Sequence, residues 1–314
     1  MKKTGRKTAQ RNICPPPLRK GDTIGLVTPA GPLVSRENFV AGVELLQQKG
    51  FRVVYNESLL NGSGYLAGRD EERAADFNRL WADPEVKGLV ATRGGYGSLR
   101  IADLVDMGQI RKNRKMLIGF SDLTVLLHAI HKKTGLVTFH GPVVTTLAGC
   151  DRESQAVFFK TLKGGRPVTL DPPKVTIVKD GSAAGILLGG NLATLAHLIA
   201  TPYEPAWDRA ILFVEDTGEP PYRLDRFLTH LASAGRLQRI KGLILGTFSD
   251  VDGREIQEAQ QAVQVRALEL LAGHDIPIWG NFPAGHGRRN WTLPIGCQAE
   301  MKAGKPVLHL SWPQ

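Results

Sequence analysis

The chain has few cysteines and no long apolar run. Three cysteines in 314 residues, Cys14, Cys150 and Cys297, are too scattered for a disulfide framework or a Cys-x-x-Cys metal or redox motif. No apolar stretch follows the basic start, so no secretory signal is visible. No run approaches the ~18 uninterrupted apolar residues of a membrane span. The sequence therefore predicts a soluble protein of a reducing, cytoplasmic setting, with no membrane partner.

Acidic residues are absent from the first twenty positions, which hold seven basic residues. The whole chain has 40 Lys and Arg against 30 Asp and Glu, a formal net charge of +10. Without those seven, 33 basic residues remain against 30 acidic ones, so the body of the chain is near neutral at +3. A folded domain that binds nucleic acid usually has basic charge spread over its surface. A short basic tail on a near-neutral body argues against such a partner.

Strand and helix patterns alternate over roughly the first 140 residues. With 42% apolar and 22% charged residues, the composition is that of a globular chain with a sizeable core. The predicted strands are 23–28, 51–55, 88–92 and 115–120, and the predicted helices are 35–50, 71–81 and 123–131. This alternation is typical of a parallel α/β sheet, whose ligand crevice lies beyond the carboxyl ends of the strands.

The rhythm breaks at a stretch rich in glycine and proline, so we predict a linker over 149–174. It separates a basic N-terminal extension (1–16) and an N-terminal α/β domain (17–148) from a C-terminal domain (175–314). The C-terminal pattern predicts a second, sheet-rich α/β domain, with strands at 175–178, 186–188, 210–214, 242–245, 276–279 and 307–312 and helices at 192–200, 224–234 and 256–271.

One buried run ends at a serine that opens a helical pattern, Met116-Leu117-Ile118-Gly119-Phe120-Ser121-Asp122. This is the order of a nucleophile elbow, where a sharp strand-to-helix turn exposes the serine hydroxyl. The next backbone N–H, that of Asp122, then faces the same space as an oxyanion donor. Capping of the helix by Ser121 or Asp122 explains the segment equally well, so it leaves both roles open.

The preceding predicted strand leads into a glycine-rich loop, Arg93-Gly94-Gly95-Tyr96-Gly97. Glycines let the backbone approach a ligand closely, so a second oxyanion N–H can come from here. A phosphate cradle is a rival use, but the loop lacks both the P-loop residues and the dinucleotide-site spacing. For the loop alone, an ordinary turn is the simplest interpretation.

Among eight histidines, His286 stands out because glycines flank it in Gly285-His286-Gly287, which leaves an imidazole accessible as a general base requires. His140, before Gly141-Pro142, is the second candidate. His128 and His131 are three residues apart on a predicted helix. They lack a nearby acidic or thiolate third ligand, which argues against zinc.

The buried run 210–214 ends at Glu215, where a carboxylate can orient a histidine. Acids at strand ends are commonly solvated loop residues, so this candidate is weak when taken alone.

Taken together, these segments resemble the LD-carboxypeptidase family, the serine peptidases related to muramoyltetrapeptide carboxypeptidase and to the microcin C self-immunity peptidase. The resemblance runs from Pro17 to about Leu310 and leaves residues 1–14 unexplained. It is carried, in chain order, by Lys20-Gly21-Asp22, Pro29-Ala30-Gly31-Pro32, Arg93-Gly94-Gly95-Tyr96-Gly97, Gly119-Phe120-Ser121-Asp122-Leu123-Thr124, His140-Gly141-Pro142, Gly189-Gly190-Asn191-Leu192, Val214-Glu215-Asp216 and Gly285-His286-Gly287.

The resemblance implies a Ser, Glu, His triad at Ser121, Glu215 and His286. It also implies an oxyanion hole from the backbone N–H groups of Asp122 and the Gly94-Gly95 turn, a substrate cleft between the two domains, and a homodimer. The implied activity is release of terminal D-alanine from cytoplasmic murein tetrapeptides in cell-wall recycling, through an acyl-enzyme. Such chemistry needs no metal and no organic cofactor.

A substrate carboxylate requires a cation, and Arg93 and Arg288 are candidates by position, although either can equally be structural. Asn191 and Trp291 complete the candidate substrate-binding residues. An immunity-type peptidase acting on an aminoacyl-nucleotide is one alternative, in which Trp291 would stack on the base. A non-catalytic binder of anionic peptides or sugars, with Ser121 as a helix cap, is another.

Overall fold

A computed structural model describes residues 12–62, 64–164, 168–252 and 254–311 of the chain. Most of the predicted N-terminal extension, the middle of the predicted linker (165–167) and the end of the last predicted strand (312) lie outside the described residues. The rest forms a mixed α/β structure with two sheets, as the sequence predicts. Among the described residues, no helix is long and apolar enough to cross a membrane.

The first half of the chain builds a mainly parallel sheet wrapped by helices. Its strands are β1 (Thr23–Val27), β2 (Arg52–Tyr55), β3 (Val86–Ala91), β4 (Met116–Gly119) and β5 (Thr138–His140). Its helices are α1 (Arg36–Gln48), α2 (Ser58–Asn61), α3 (Asp70–Ala82), α4 (Ser98–Ile101), α5 (Met107–Lys112), α6 (Thr124–Thr134) and α7 (Val144–Leu147), with a 3₁₀ turn at Ser121–Leu123. Ser35 caps α1, accepting from Asn38 N at 3.1 Å.

The second half contributes a curled sheet of eight strands. Its strands are β6 (Val168–Leu170), β7 (Thr176–Lys179), β8 (Ala183–Asn191), β9 (Ile211–Thr217), β10 (Gly242–Ser249), β11 (Ile278–Gly280), β13 (Gln298–Lys302) and β14 (Lys305–Ser311). Its helices are α8 (Arg152–Leu162), α9 (Leu192–His197), α10 (Pro221–Ser233) and α11 (Gln257–Leu270), with a 3₁₀ turn at Leu237–Arg239. Strands β8 to β11 run parallel, and antiparallel strands flank them on both sides.

The two halves share a sheet. Strand β12 (Leu293–Ile295), late in the sequence, pairs antiparallel with β5 and completes the first sheet in the order β12-β5-β4-β3-β1-β2. It covers an edge of β5 whose N–H and C=O groups would otherwise be unpaired. The segment 149–174 contains α8 and β6, and Phe158 on α8 is buried in the core of the first half. The domain boundaries drawn from the sequence stay a prediction.

Helix α6, which begins three residues after Ser121, packs against the carboxyl end of β8. Thr124 Oγ1 accepts from Asn191 N at 3.1 Å, and His128 Nε2 lies 2.9 Å from Gly189 O. Gly190 has a φ of 142°, and a Cβ there would lie 2.5 Å from Thr124 Oγ1. Only glycine permits this approach. The contact fixes the helix that follows Ser121 against the second sheet.

Candidate active site

Ser121 occupies the sharp turn predicted from the sequence. It follows β4, starts the 3₁₀ turn and has a φ of 63°, in the left-handed region. A non-glycine residue held there costs about 1–3 kcal/mol, which the surrounding packing must offset. Phe120 and Leu123 on either side are buried. The turn thus presents the Ser121 hydroxyl at the carboxyl end of the first sheet.

The glycine-rich loop after β3 lies directly against this serine. A Cβ on Gly94 would lie 2.8 Å from Ser121 Cβ and 2.9 Å from Oγ. Among the described residues, no acceptor takes the backbone N–H of Gly94 or Gly95. Asp122 turns its carboxylate away to accept from Ser98 N at 2.8 Å, while its own N–H lies in the first turn, where intrahelical acceptors are lacking. This supplies N–H groups of the kind an oxyanion hole uses.

Glu215 and His286 form a hydrogen-bonded pair at the corresponding end of the second sheet. Oε2 of Glu215, on β9, accepts from His286 Nδ1 at 2.7 Å and from His286 N at 3.2 Å. The Glu215 side chain is fully buried and that of His286 is 17% exposed. Gly285 has a φ of 131°, and a Cβ there would lie 2.9 Å from Oε2. With Nδ1 donating to the carboxylate, His286 keeps Nε2 free to take a proton.

The pair's electrostatics favour charge separation. Burial alone would lower the pKa of His286, but the charge and hydrogen bond of Glu215 and the charge of Asp216 raise it above the usual value. Burial would raise the pKa of Glu215, and the charge and hydrogen bonds of His286 instead bring it below the usual value. An imidazolium at His286 is therefore stabilised when it forms.

Ser121 and His286 line the same cavity, of about 340 Å³. Gly94, Phe120 and Val251 also line it, and the Phe120 ring centroid lies 4.6 Å from that of His286. Among the described residues no hydrogen bond joins Ser121 Oγ to His286. Catalytic hydrogen bonds are often long in unliganded sites and tighten around substrate. A neighbouring cavity of about 720 Å³ is also lined by Phe120 and His286. The two cavities therefore form one groove that passes Ser121 and His286.

Two candidate arginines border this groove. Arg93 lines the smaller cavity, is half-buried and donates from Nη1 to Pro32 O at 2.8 Å. Its burial lowers its pKa. Arg288 is exposed and lines the larger cavity. Neither arginine forms an ion pair with a carboxylate of the described residues, so both have charge available for an anionic ligand.

Asn191 and Trp291, the other two candidate substrate-binding residues, make internal contacts in the structure. Asn191 is buried, accepts from Thr194 N at 2.9 Å and donates from Nδ2 to Asp216 Oδ1 at 2.7 Å. Trp291 is 7% exposed and packs edge-on against Phe282 in the core. Neither lines the two cavities, and Trp291 offers no open ring face to a base. Their contacts with substrate stay a prediction, and the contacts that the structure shows are internal.

Sequence reasoning gave no part to Asp216, the carboxyl beside Glu215. Burial and the charge of Glu215 raise its pKa to about 7, although it accepts from Ala193 N at 2.9 Å, Thr217 N and Asn191 Nδ2. The sequence does contain a sign of this role, since two acids stand next to each other after a buried run. Side chains alternate between the two faces of a strand, so Asp216 lies on the face opposite Glu215. Asp216 thus ties β9 to the start of α9.

In the part of the chain that the structure describes, no group of three His, Cys, Asp or Glu side chains is arranged to hold a metal ion.

Comparison with known proteins found two family patterns that match this chain. Residues 24–141 match the pattern "LD-carboxypeptidase N-terminal domain", and residues 184–301 match "LD-carboxypeptidase C-terminal domain". The "Probable murein peptide carboxypeptidase" of Bacillus subtilis is 35% identical over 300 residues, covering 94% of this chain and 93% of the relative.

Two solved structures share the fold along nearly their whole length. That of a "muramoyltetrapeptide carboxypeptidase from Oxalobacter formigenes" is 30% identical with a TM-score of 0.79, covering 93% of this chain and 100% of the other. That of "Microcin C7 self immunity protein MccF" is 27% identical with a TM-score of 0.87, covering 96% of this chain and 99% of the other. The fold of this chain is therefore shared by a protein named as a carboxypeptidase and by one named as a self-immunity protein.

Proposed function

The chain belongs to the LD-carboxypeptidase family and is a serine carboxypeptidase, and from this premise we propose that it hydrolyses the L,D bond that releases terminal D-alanine from murein tetrapeptides. The observation that carries the proposal is the buried Glu215–His286 pair, joined at 2.7 Å, whose ring lines the same cavity as Ser121. A role in cytoplasmic cell-wall recycling, and a homodimeric state, are part of the same proposal.

In this mechanism His286 Nε2 takes the proton of Ser121 Oγ as the oxygen attacks the scissile carbonyl. Glu215 keeps the ring in the tautomer with Nδ1–H and stabilises the imidazolium. The backbone N–H groups of Gly94, Gly95 and Asp122 donate to the oxyanion of the tetrahedral intermediate. The C–N bond then breaks as the imidazolium protonates the leaving amine.

The second half of the cycle releases the shortened peptide. Water loses a proton to Nε2 and attacks the acyl ester of Ser121, and the tetrahedral intermediate collapses with return of the proton to Oγ. These steps need only the three side chains and the backbone donors.

We propose Arg93 as the residue that binds the free carboxylate of the substrate terminus. Arg93 lines the cavity of Ser121, and its guanidinium forms no ion pair with a described carboxylate. A partly desolvated guanidinium binds a carboxylate more strongly than an exposed one. Arg288, in the wider and more solvated part of the groove, then suits a second polar group of the substrate.

A second candidate is cleavage of an aminoacyl-nucleotide, as an immunity-type peptidase. Support comes from the shared fold with MccF and from an exposed aromatic pair, Tyr65 and Tyr96, whose ring centroids lie 5.8 Å apart. Tyr96 follows the Gly94-Gly95 turn, so the pair lies near the proposed oxyanion hole. An exposed aromatic surface of this kind can stack on a base.

The test is incubation with an L,D-tetrapeptide and its all-L counterpart, with release of the terminal alanine from each peptide followed by chromatography. We expect release from the first peptide only, and Ser121→Ala to abolish turnover while binding is kept. Hydrolysis of an aminoacyl-sulfamoyl nucleotide in place of the tetrapeptide would favour the second candidate. Binding without turnover by both the wild type and Ser121→Ala would favour a non-catalytic binder.

A further inference from the structure

Glu215 has one carboxylate oxygen that makes no hydrogen bond. Oε2 accepts both bonds from His286, whereas Oε1 is buried and has no partner among the described residues. A buried carboxylate oxygen left without a donor is costly, so native structures nearly always satisfy such an atom. This arrangement calls for a donor close to Oε1.

His140 is the nearby group with the complementary deficiency. It ends β5, is fully buried, and neither Nδ1 nor Nε2 has a partner among the described residues. Burial lowers its pKa to about 4, so the ring is neutral at neutral pH. A neutral imidazole has one N–H donor and one acceptor nitrogen. His140 therefore has a donor to give.

His140 and Glu215 lie close together among the same aromatic rings, those of Phe213 and Phe120. Phe213 precedes Glu215 by two residues on β9 and so shares its face. The Phe213 ring centroid lies 5.0 Å from that of His140. The Phe120 ring lies 5.8 Å from His140 and 4.6 Å from His286. Glu215 is also close enough for its charge to act on the ionisation of His140.

We propose that His140 is a positioning residue for the catalytic pair, which turns its N–H to Oε1 of Glu215 while His286 holds Oε2. Two donors on opposite oxygens fix the plane of the carboxylate, so that Oε2 stays aimed at Nδ1 of His286. The added bond also spreads the negative charge of Glu215 and tempers its pull on the His286 proton. This inference rests on the proposed function of Ser121, Glu215 and His286.

The ionisable groups around the pair set the direction of the expected pH effect. Glu215 on β9 contacts His286, and the charge of Asp216, next to it on the strand, also acts on that ring. His140 lies on β5, and His128 on α6 is close enough to His140 for their charges to interact. Loss of the His140 donor leaves the charge of Glu215 less compensated. The imidazolium of His286 is then more stable, and the acid limb of kcat/KM moves to higher pH.

The first experiment compares variants that keep or remove the donor. His140→Phe keeps an aromatic ring without an N–H, and we expect kcat to fall about 10- to 100-fold with KM changed less than about threefold. His140→Asn and His140→Gln carry an amide N–H at the reach of Nδ1 and Nε2 respectively. At least one of them is expected to recover most of kcat and the wild-type pH profile.

Phe139→Leu is the matched control, because Phe139 precedes His140 on β5, is equally buried and packs in a different cluster. This substitution removes core volume but leaves the aromatic rings around Glu215, Phe120 and Phe213, unchanged. If His140→Phe and Phe139→Leu lose activity in proportion to their loss of thermal stability, with unchanged pH profiles, His140 is only a packing residue and the proposal fails.

A second measurement needs no substrate, so it tests the role of His140 even if the proposed function is wrong. In protein labelled with ¹⁵N at histidine, the His140 ring proton should resonate downfield, as a hydrogen-bonded N–H does. It should move upfield in Glu215→Gln, whose neutral oxygen is a weaker acceptor. An unchanged His140 resonance in that variant overturns the proposal, whatever peptide the enzyme cleaves.

Discussion

The two sides of the groove are held by different forces. On the Ser121 side, backbone conformation and close packing hold the residues in place. Ser121 has a φ of 63°, and Gly94 is so close that a Cβ there would lie 2.8 Å from Ser121 Cβ. On the His286 side, an electrostatic interaction holds the residues in place, because the fully buried carboxylate of Glu215 accepts a hydrogen bond from His286 Nδ1 at 2.7 Å. The first side is therefore sensitive to added volume, and the second to a change of charge at constant volume.

This difference fits the roles that we propose for the two sides. A nucleophile and its oxyanion donors need positions fixed to within a few tenths of an ångström, which steric contact provides. A general base needs a matched proton affinity, which neighbouring charges provide. Four substitutions test whether the division holds.

The largest effect is expected from Glu215→Gln, which keeps the volume and removes the charge. A glutamine amide facing Nδ1 favours the wrong tautomer of His286, so we expect kcat to fall about 10⁴-fold. Steady-state kinetics across the pH range, with circular dichroism as the check on folding, measure this. Activity within about tenfold of the wild type would show that charge does not hold the second side.

Gly94→Ala tests the first side with one added methyl group. Its Cβ would lie 2.9 Å from Ser121 Oγ, so the loop or the serine must move, and we expect kcat to fall about 10²- to 10³-fold through loss of oxyanion donors. Gly273→Ala is the control, because nothing lies within 4 Å of its added Cβ. Equal activity of the two variants would contradict the steric account.

Arg93→Met tests which substrate group the first side binds. We expect kcat/KM for the tetrapeptide to fall about 10- to 100-fold, as befits loss of a charge-assisted hydrogen bond. The sharper readout is the preference of the enzyme for the free acid over the same peptide with a C-terminal amide. Arg93→Met should lose that preference and Arg288→Met should keep it; the reverse pattern would assign the carboxylate to Arg288.

The smallest effect concerns Asp216 and the stability of the second side. Its pKa in the folded protein is raised to about 7, so its contribution to stability is fully present below its unfolded pKa and is lost as the pH rises through about 7. The pKa of His286 in the folded protein is also raised, so its contribution to stability likewise decreases as the pH rises.

Asp216→Asn removes one of these two titrations. We therefore expect its melting temperature to fall less between about pH 5 and pH 8 than that of the wild type, by about 2–4 °C. Calorimetry at several pH values measures the two slopes. Parallel slopes would mean that Asp216 is ionised throughout.

The sequence predicted the features that local chemistry determines. Ser35 and Gly50 bound the first helix because capping and left-handed turns are decided within a few residues. The strand-to-helix turn at Ser121 and the buried strand that carries Glu215 were visible for the same reason. The catalytic roles of Ser121, Glu215 and His286 stay predictions.

What escaped sequence reasoning depends on contacts between distant segments. Asn191, which follows two glycines, was a candidate binding residue, and only the fold shows that its amide donates to Asp216. Trp291 carries no local sign of its burial against Phe282. The three residues of β12 are too few for a periodic pattern, and the edge that they cover is formed 150 or so residues earlier.

Strand β12 has a consequence for anyone who dissects this protein. A gene fragment ending near residue 174 encodes five strands of the first sheet but not the sixth, so its β5 edge would be exposed and prone to self-association. The two halves are therefore poor candidates for separate expression. Produced together as split chains, they should instead recombine through Leu293–Ile295, and the activity regained would report assembly.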